Sequence, residues 1–276
     1  MFITSHRRLL TVLLILSSFA AFPALAEATH SWGGYHWART SSSFTLKLGD
    51  NVSSAWDSYL ATTSSDWSLS TVLDTTIVAG GASSDVRRCR PTSGRVEVCN
   101  TTYGNNGWLG VAQIWISGSH ITQGTVKVND TYFNTSPYNT PAWKNLVMCQ
   151  EVGHTMGLAH QDENFSTPNL NTCMDYTNNP ASNQHPNLHD YDELVIIYSH
   201  LDSTTTAKQA LTGKMPPAMT DIDLGGPAQW GKLIHSSHGG WKELYELDFG
   251  GGHKVFTHVI WATADEEGTD GEHGQR

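Results

Sequence analysis

The apolar positions of this chain fall into two periods. Residues 35–50 read as a first strand and a turn, on "YHW" and "FTLKL". Residues 51–67 place Val52, Trp56, Tyr59 and Leu60 on one side of a helix. "STVLDTTIV", residues 70–78, is rich in β-branched residues and reads as a strand. A Gly- and Ser-rich stretch carrying Cys89 and Cys99 reads as a loop. Residues 107–117 and 124–133 read as two more strands, with continuous or alternating apolar residues. Residues 139–157 predict a second helix. Thr140 suits its N-cap and Pro141 its first turn. Trp143, Leu146, Val147, Gln150 and His154 follow at helical spacing, so the inward stripe ends in two polar residues. Gly157 is a natural stop, being free to turn left-handed. Residues 186–202 predict a third helix, with Leu188, Leu194, Val195, Ile197, Tyr198 and Leu201 as its apolar set. Residues 203–229 turn to Thr, Pro and Gly and read as a linker. Three short strands with Gly-rich turns follow, as a small β appendage over 230–262. The acidic, Gly-rich residues 263–276 are expected to be disordered. The fold class expected is α+β, with a main domain over 27–202.

The first 26 residues have a basic start at Arg7 and Arg8, an apolar run and a small-residue site ending at Ala26. That is the layout of a secretory signal peptide, and the run is too short to span a bilayer. Its removal leaves 14 basic against 26 acidic residues, a net charge of −12. Such a balance argues against nucleic-acid binding. The expected protein is exported, extracellular or periplasmic, monomeric and without a membrane span. In that setting four cysteines suggest two disulfides. Cys89–Cys99 is favoured as a local clasp and Cys149–Cys173 as the second bridge.

The candidate chemistry lies in "QEVGHTMGLAH", residues 150–160. Residues four apart lie one above the other on a helix face, so Gln150 and His154 point at one spot. Glu151 reaches that spot from the side, and Gly157 lets the chain return His160 to it. Three ligands and an open position on zinc acidify a bound water, and Glu151 would take its proton. His36, His120, His200, His235, His238 and His258 read as surface residues or hydrogen-bonded core residues. "HDYDE", residues 189–193, reads as a charged helix start.

Together with "CMDY", residues 173–176, this stretch resembles the metzincin zinc endopeptidases, whose pattern is H-E-x-x-H-x-x-G-x-x-H with a downstream Met-turn. The resemblance covers residues 30–202. It implies a twisted mixed sheet with three main helices and a Zn2+ cofactor. It implies Glu151 as general base, His154 and His160 as ligands, Gly157 as the turn, and Met174 as the apolar floor beneath the metal. Tyr176 takes the place of an oxyanion-supporting tyrosine, and a peptide substrate would lie along an edge strand at 110–117 or 124–130. Gln150 stands where the family has its first histidine. Its amide oxygen could ligate zinc, it could hydrogen-bond while another group completes the shell, or the site could be inert. The functions implied are a secreted endopeptidase or a catalytically silent binding protein on the same scaffold. A third possibility gives the work to a carbohydrate-binding appendage carrying Trp230, Trp241, Tyr245 and Trp261, although their alternation with apolar residues favours a core role. The Cys149–Cys173 bridge would staple the helix to the Met-turn.

Overall fold

The computed structural model describes residues 30–82, 85–164, 166–207, 216–220, 222–237 and 240–262. The leader at 1–26 and the tail at 263–276 fall outside them. The chain builds one mixed sheet flanked by helices, an α+β arrangement as expected. Its strands are β1 (His36–Trp37), β2 (Phe44–Asn51), β3 (Leu73–Ala79), β4 (Arg95–Thr101), β5 (Trp108–Ser117), β6 (His120–Asn129), β7 (Lys232–Ser237), β8 (Lys242–Asp248) and β9 (His253–Trp261). Across the sheet they run β3-β2-β4-β6-β5-β9-β8-β7, and β1 pairs with β6 off that path. The β3–β2–β4–β6 part is parallel. From β6 onward every pairing is antiparallel.

Helix α1 (Asp57–Trp67) starts later than its apolar stripe, and α2 (Asp130–Phe133) is a single turn where a strand end was expected. Helix α3 (Pro141–His154) begins as the sequence predicts. The Thr140 side chain accepts from the Trp143 N–H at 3.3 Å, and Pro141 occupies the first turn. All five stripe residues are buried. Helix α4 (Leu188–Ile197) opens with a capping box between Asn187 and Asp190. It ends earlier than expected, and Leu188, Val195 and Leu201 of its supposed apolar face are exposed. Leu194, Ile197 and Tyr198 alone of that set meet the core, so the helix buries a narrower stripe than its composition suggests.

Two expectations are corrected. Residues 95–101 are not loop: β4 is a central strand, almost wholly buried between β2 and β6. The polar letters of "RVEVCNT" hide it, because Glu97 is paired with Arg95 at 2.6 Å and held by the Asn51 amide at 2.7 Å. The three C-terminal strands lie near their expected positions, but they are no appendage. β9 pairs with β5 from Trp108↔Trp261 to Ser117↔His253 and continues the main sheet. The reason is apolar on both faces. Phe256 and Ile260 enter the main core with Leu109, Ile114 and Val147. Val255 and Val259 join Trp108, Val111, Trp115, Met219, Leu224 and Trp230 in a second core on the opposite face. Trp230 is thereby buried, with its indole N–H donating to the Leu224 carbonyl at 2.9 Å. Tyr245 and Trp261 pack against the same cluster, which answers their alternation as core residues.

Both expected disulfides form. Cys89–Cys99 ties the loop after β3 to β4, and Cys149–Cys173 ties α3 to the segment before Met174.

Candidate metal centre

Helix α3 carries Gln150, Glu151 and His154 on its final turns, facing β5 and β9. The close approach to β5 depends on Gly110. A Cβ there would sit 2.6 Å from Val147 and 2.7 Å from a Glu151 carboxylate oxygen. After His154 the chain turns at Gly157, whose φ of +100° is left-handed. A Cβ at that position would also lie 2.4 Å from the Tyr35 carbonyl oxygen. The turn returns His160 to the helix. The His154 and His160 Nε2 atoms stand 3.2 Å apart. His154 Nδ1 lies 2.8 Å from the Leu158 carbonyl, so it carries the proton and Nε2 is left bare toward His160.

Residues 161–162 run beside the Met-containing turn. The Gln161 N–H donates to the Met174 carbonyl at 2.6 Å and the Tyr176 N–H to the Asp162 carbonyl at 3.2 Å. These bonds set the Tyr176 ring 4.2 Å from His160. Met174 is fully buried against the helix, its sulfur 2.7 Å from where a Cβ on Gly153 would stand. Glu151, His154, Gly157, His160, Met174 and Tyr176 therefore meet in one place.

Gln150 does not join the imidazoles. Its amide nitrogen donates to the Cys173 carbonyl at 2.5 Å and to the Asp175 carbonyl at 3.3 Å. Its oxygen accepts from Lys242 Nζ at 3.1 Å. The helix places Gln150 near the site, but the disulfide-tethered turn takes both amide protons and β8 takes the oxygen.

The third imidazole is His258 of β9, whose sequence context suggests only a surface or hydrogen-bonded core residue. Nitrogens of His154, His160 and His258 lie within 4.8 Å of one another, and all three residues are buried. The register explains the arrival. His258 pairs with Ala112, and it shares a face with Phe256 and Ile260, which enter the main core. Its neighbour across β8 is Leu244, and the next pair along is Lys242↔Ile260. That register brings Lys242 onto the same face, where its Nζ lies 3.9 Å over the Tyr176 ring. A signal for His258 was present: one polar letter on the inward side of "VFTHVIW". Read as an appendage, that strand gave it nothing to face.

The electrostatics follow from burial. Desolvation lowers the pKa of His154 to about 3 and holds His160 and His258 well below the ordinary histidine range, with Lys242 adding to each. All three are neutral near pH 7, the state in which imidazole binds metals. Burial raises the Glu151 pKa well above its ordinary value, and Lys242 opposes that shift. Lys242 is itself lowered to about 7 by burial, with Glu151 opposing. Burial also raises the Tyr176 phenol, whose oxygen accepts from the Ser237 hydroxyl at 2.7 Å.

The donor set fits a zinc ion. Three neutral nitrogens of borderline softness converge, and a carboxylate stands beside them. His258 Nδ1 is buried with no hydrogen-bond partner among the described residues. Such atoms are costly unless something binds them. The centre is closed to solvent: Gln150, Glu151 and His154 have zero exposure, and Trp32 stacks on His258 at 5.4 Å.

No family model matches the chain, and no curated protein matches it. Among solved structures it is similar to high choriolytic enzyme 1, a hatching enzyme zinc-protease from the medaka fish Oryzias latipes. The identity is 11% and the TM-score 0.33, over 61% of this chain and 96% of that one. A likeness this distant carries no weight for the chemistry of this chain.

Proposed function

We propose that this chain is a secreted, metzincin-like zinc peptidase held in a covered form. The observation that carries the reading is the meeting of His154, His160 and His258 beside Glu151. In this reading those three imidazoles hold the metal, and Gln150 takes a positioning role. Zinc, when bound, supplies an acidified water and a polarised peptide carbonyl. Glu151, made a stronger base by the burial that raises its pKa, is suited to take a proton in its ionised form and return it to a leaving amine. Lys242 balances its charge, and Tyr176 is the candidate oxyanion donor.

The cover is β9 with β8. β5 is the antiparallel strand over the site, and β9 already occupies the edge where an extended peptide could add. Substrate entry therefore requires the β8–β9 ribbon to move, which would carry Lys242 away from Gln150. The Gln150 oxygen would then be free to face the site.

A second reading has one observation in its favour. The same strand that closes the site donates His258, so opening it removes a ligand. A silent metal-holding scaffold on the same fold is consistent with that.

The deciding experiment measures zinc content and hydrolysis of a mixed peptide library by the purified protein, beside Glu151→Ala. Zinc near one equivalent or more, with cleavage by the parent alone, supports the peptidase. Zinc bound by both, with neither cleaving, moves the silent scaffold to first place. A folded parent that holds no zinc ends both readings.

A further inference from the structure

We infer that His36, His200 and Asp202 form a second metal site, suited to zinc and flanked by His120, that ties the first strand to the end of the helical half of the chain. The site is separate from the three-imidazole centre and does not rest on the peptidase reading.

The four residues come from three parts of the chain. His36 opens β1 and His120 opens β6, and the parallel register pairs them directly, His36↔His120. His200 and Asp202 follow α4. The chain there is fastened back to the strand, because the Asp202 N–H donates to the Arg39 carbonyl at 2.7 Å. One carboxylate oxygen, Asp202 Oδ1, is the common focus. The Nε2 atoms of His120, His36 and His200 stand 3.0, 3.5 and 3.7 Å from it. His200 Nε2 and His36 Nε2 are 3.2 Å apart.

Those spacings are informative. Ligand atoms about 2.0–2.1 Å from a tetrahedral zinc are separated by roughly 3.3–3.4 Å. The measured distances scatter about that value. Two imidazoles and one carboxylate converge, the ligand atoms of His36, His200 and Asp202 all lying within 4.8 Å of one another, and His120 flanks them through its 3.0 Å contact with Asp202 Oδ1.

The atoms behind the ligands are set for the same purpose. His36 Nδ1 lies 2.8 Å from the Gly34 carbonyl, which fixes the proton on Nδ1 and presents Nε2 bare. Asp202 Oδ2 accepts from the Arg39 N–H at 2.9 Å, which orients the carboxylate and leaves Oδ1 for the metal. His36 is buried and Asp202 half-buried, whereas the side chains of His200 and the flanking His120 are 54% and 31% exposed. An ion thus has a fixed half-site and an open side by which to enter. The site has an evident structural use. β1 has only two residues in the sheet and little pairing of its own. A bound ion would lock β1 to the exit of α4.

The test uses the whole purified protein, stripped with chelator and titrated with Zn2+ and separately with Co2+. The comparison variants are His200→Ala, at an exposed side chain, and Asp202→Asn, which keeps an oxygen for the Arg39 N–H. The parent should take up one equivalent that both variants lose or bind at least about tenfold more weakly, the minimum expected even for an outer-shell change. Co2+ should give the strong visible bands of a four-coordinate site, absent in His200→Ala. His258→Ala should retain this equivalent, which separates it from the other centre. If His200→Ala and Asp202→Asn bind as many ions as tightly as the parent, the proposal is overturned. It is equally overturned if the parent binds only what His258→Ala removes.

Discussion

At the scale of single residues, Gln150 and His258 stand in different surroundings, one hydrogen-bonded to its neighbours and the other facing two imidazoles. Gln150 satisfies two backbone carbonyls and the Lys242 ammonium, all buried. Gln150→Leu should therefore cost about 1–3 kcal/mol of stability, the penalty for stranding buried polar groups, while zinc binding stays within a few-fold of the parent. His258→Ala should do the reverse in metal titration, losing at least about tenfold in affinity. Isothermal titration beside urea unfolding reads both. Asp190 gives a pH prediction away from the centre. Burial raises its pKa to about 6, although it accepts from the Thr172 hydroxyl and the Asn187 N–H. A carboxyl with a raised folded pKa contributes stability below its unfolded pKa, near 4, and loses it as pH rises through 6. The stability of the parent relative to Asp190→Asn should therefore fall between pH 4 and pH 6, by up to about 3 kcal/mol. Urea midpoints measured across that range would show no trend if the carboxyl were not shifted.

At the scale of elements, α3 does most to build the centre. Its start is set locally, by Thr140 and Pro141; it ends at His154, with Thr155 as C-cap, and the left-handed Gly157 then turns the chain. What holds its last turns to the segment carrying Met174 and Tyr176 is the Cys149–Cys173 bridge, which spans 24 residues. Replacing both cysteines by alanine should cost about 3 kcal/mol, as expected for a loop of that length. Metal affinity should weaken as well, because Gln150 and the backbone it binds lie beside both cysteines. Chemical denaturation with and without zinc tests the two parts separately. Gly110→Ala attacks the same interface from β5. Its methyl would meet Val147 and Glu151, and overpacking of this kind costs about 1–3 kcal/mol. A thermal-shift measurement in which Gly110→Ala equals the parent would contradict the close approach of strand and helix.

At the scale of the whole molecule, the C-terminal strands are part of the core. Phe256 and Ile260 belong to the main apolar cluster, and Val255 and Val259 to the one on the far face. A chain ended at residue 229 should not leave a folded remainder. It would bare the backbone edge of β5 and apolar side chains on both faces, a recipe for aggregation. Size exclusion and near-UV circular dichroism should show soluble aggregate or loss of fixed aromatic packing. A monomer with a native-like aromatic spectrum would restore the appendage view. Among the described residues no helix is long and apolar enough to cross a membrane.

Much of this protein was legible from local pattern. The start and N-cap of α3 follow from periodicity, an N-cap residue and a first-turn proline, all of which act within a few residues, while the helix ends at His154, short of the expected stop at Gly157. His154, Glu151 and His160 are legible for the same reason: helix geometry and one tight turn fix their relative places. The disulfide pairing agrees with spacing. The missing parts are those whose partners lie far along the chain. β4 was hidden because its buried Glu97 is paired with Arg95 of the same strand and held by the Asn51 amide from β2. The membership of β9 in the sheet depends on which edge it adds to, and alternation specifies a strand without naming its neighbour. His258 and Lys242 became site residues only through that pairing and its register. The meeting of His36, His120 and Asp202 likewise needs β1 laid beside β6 and the exit of α4 folded back on both. Short-range chemistry wrote half of each site into the sequence; strand order, which is a property of the packed sheet, supplied the other half.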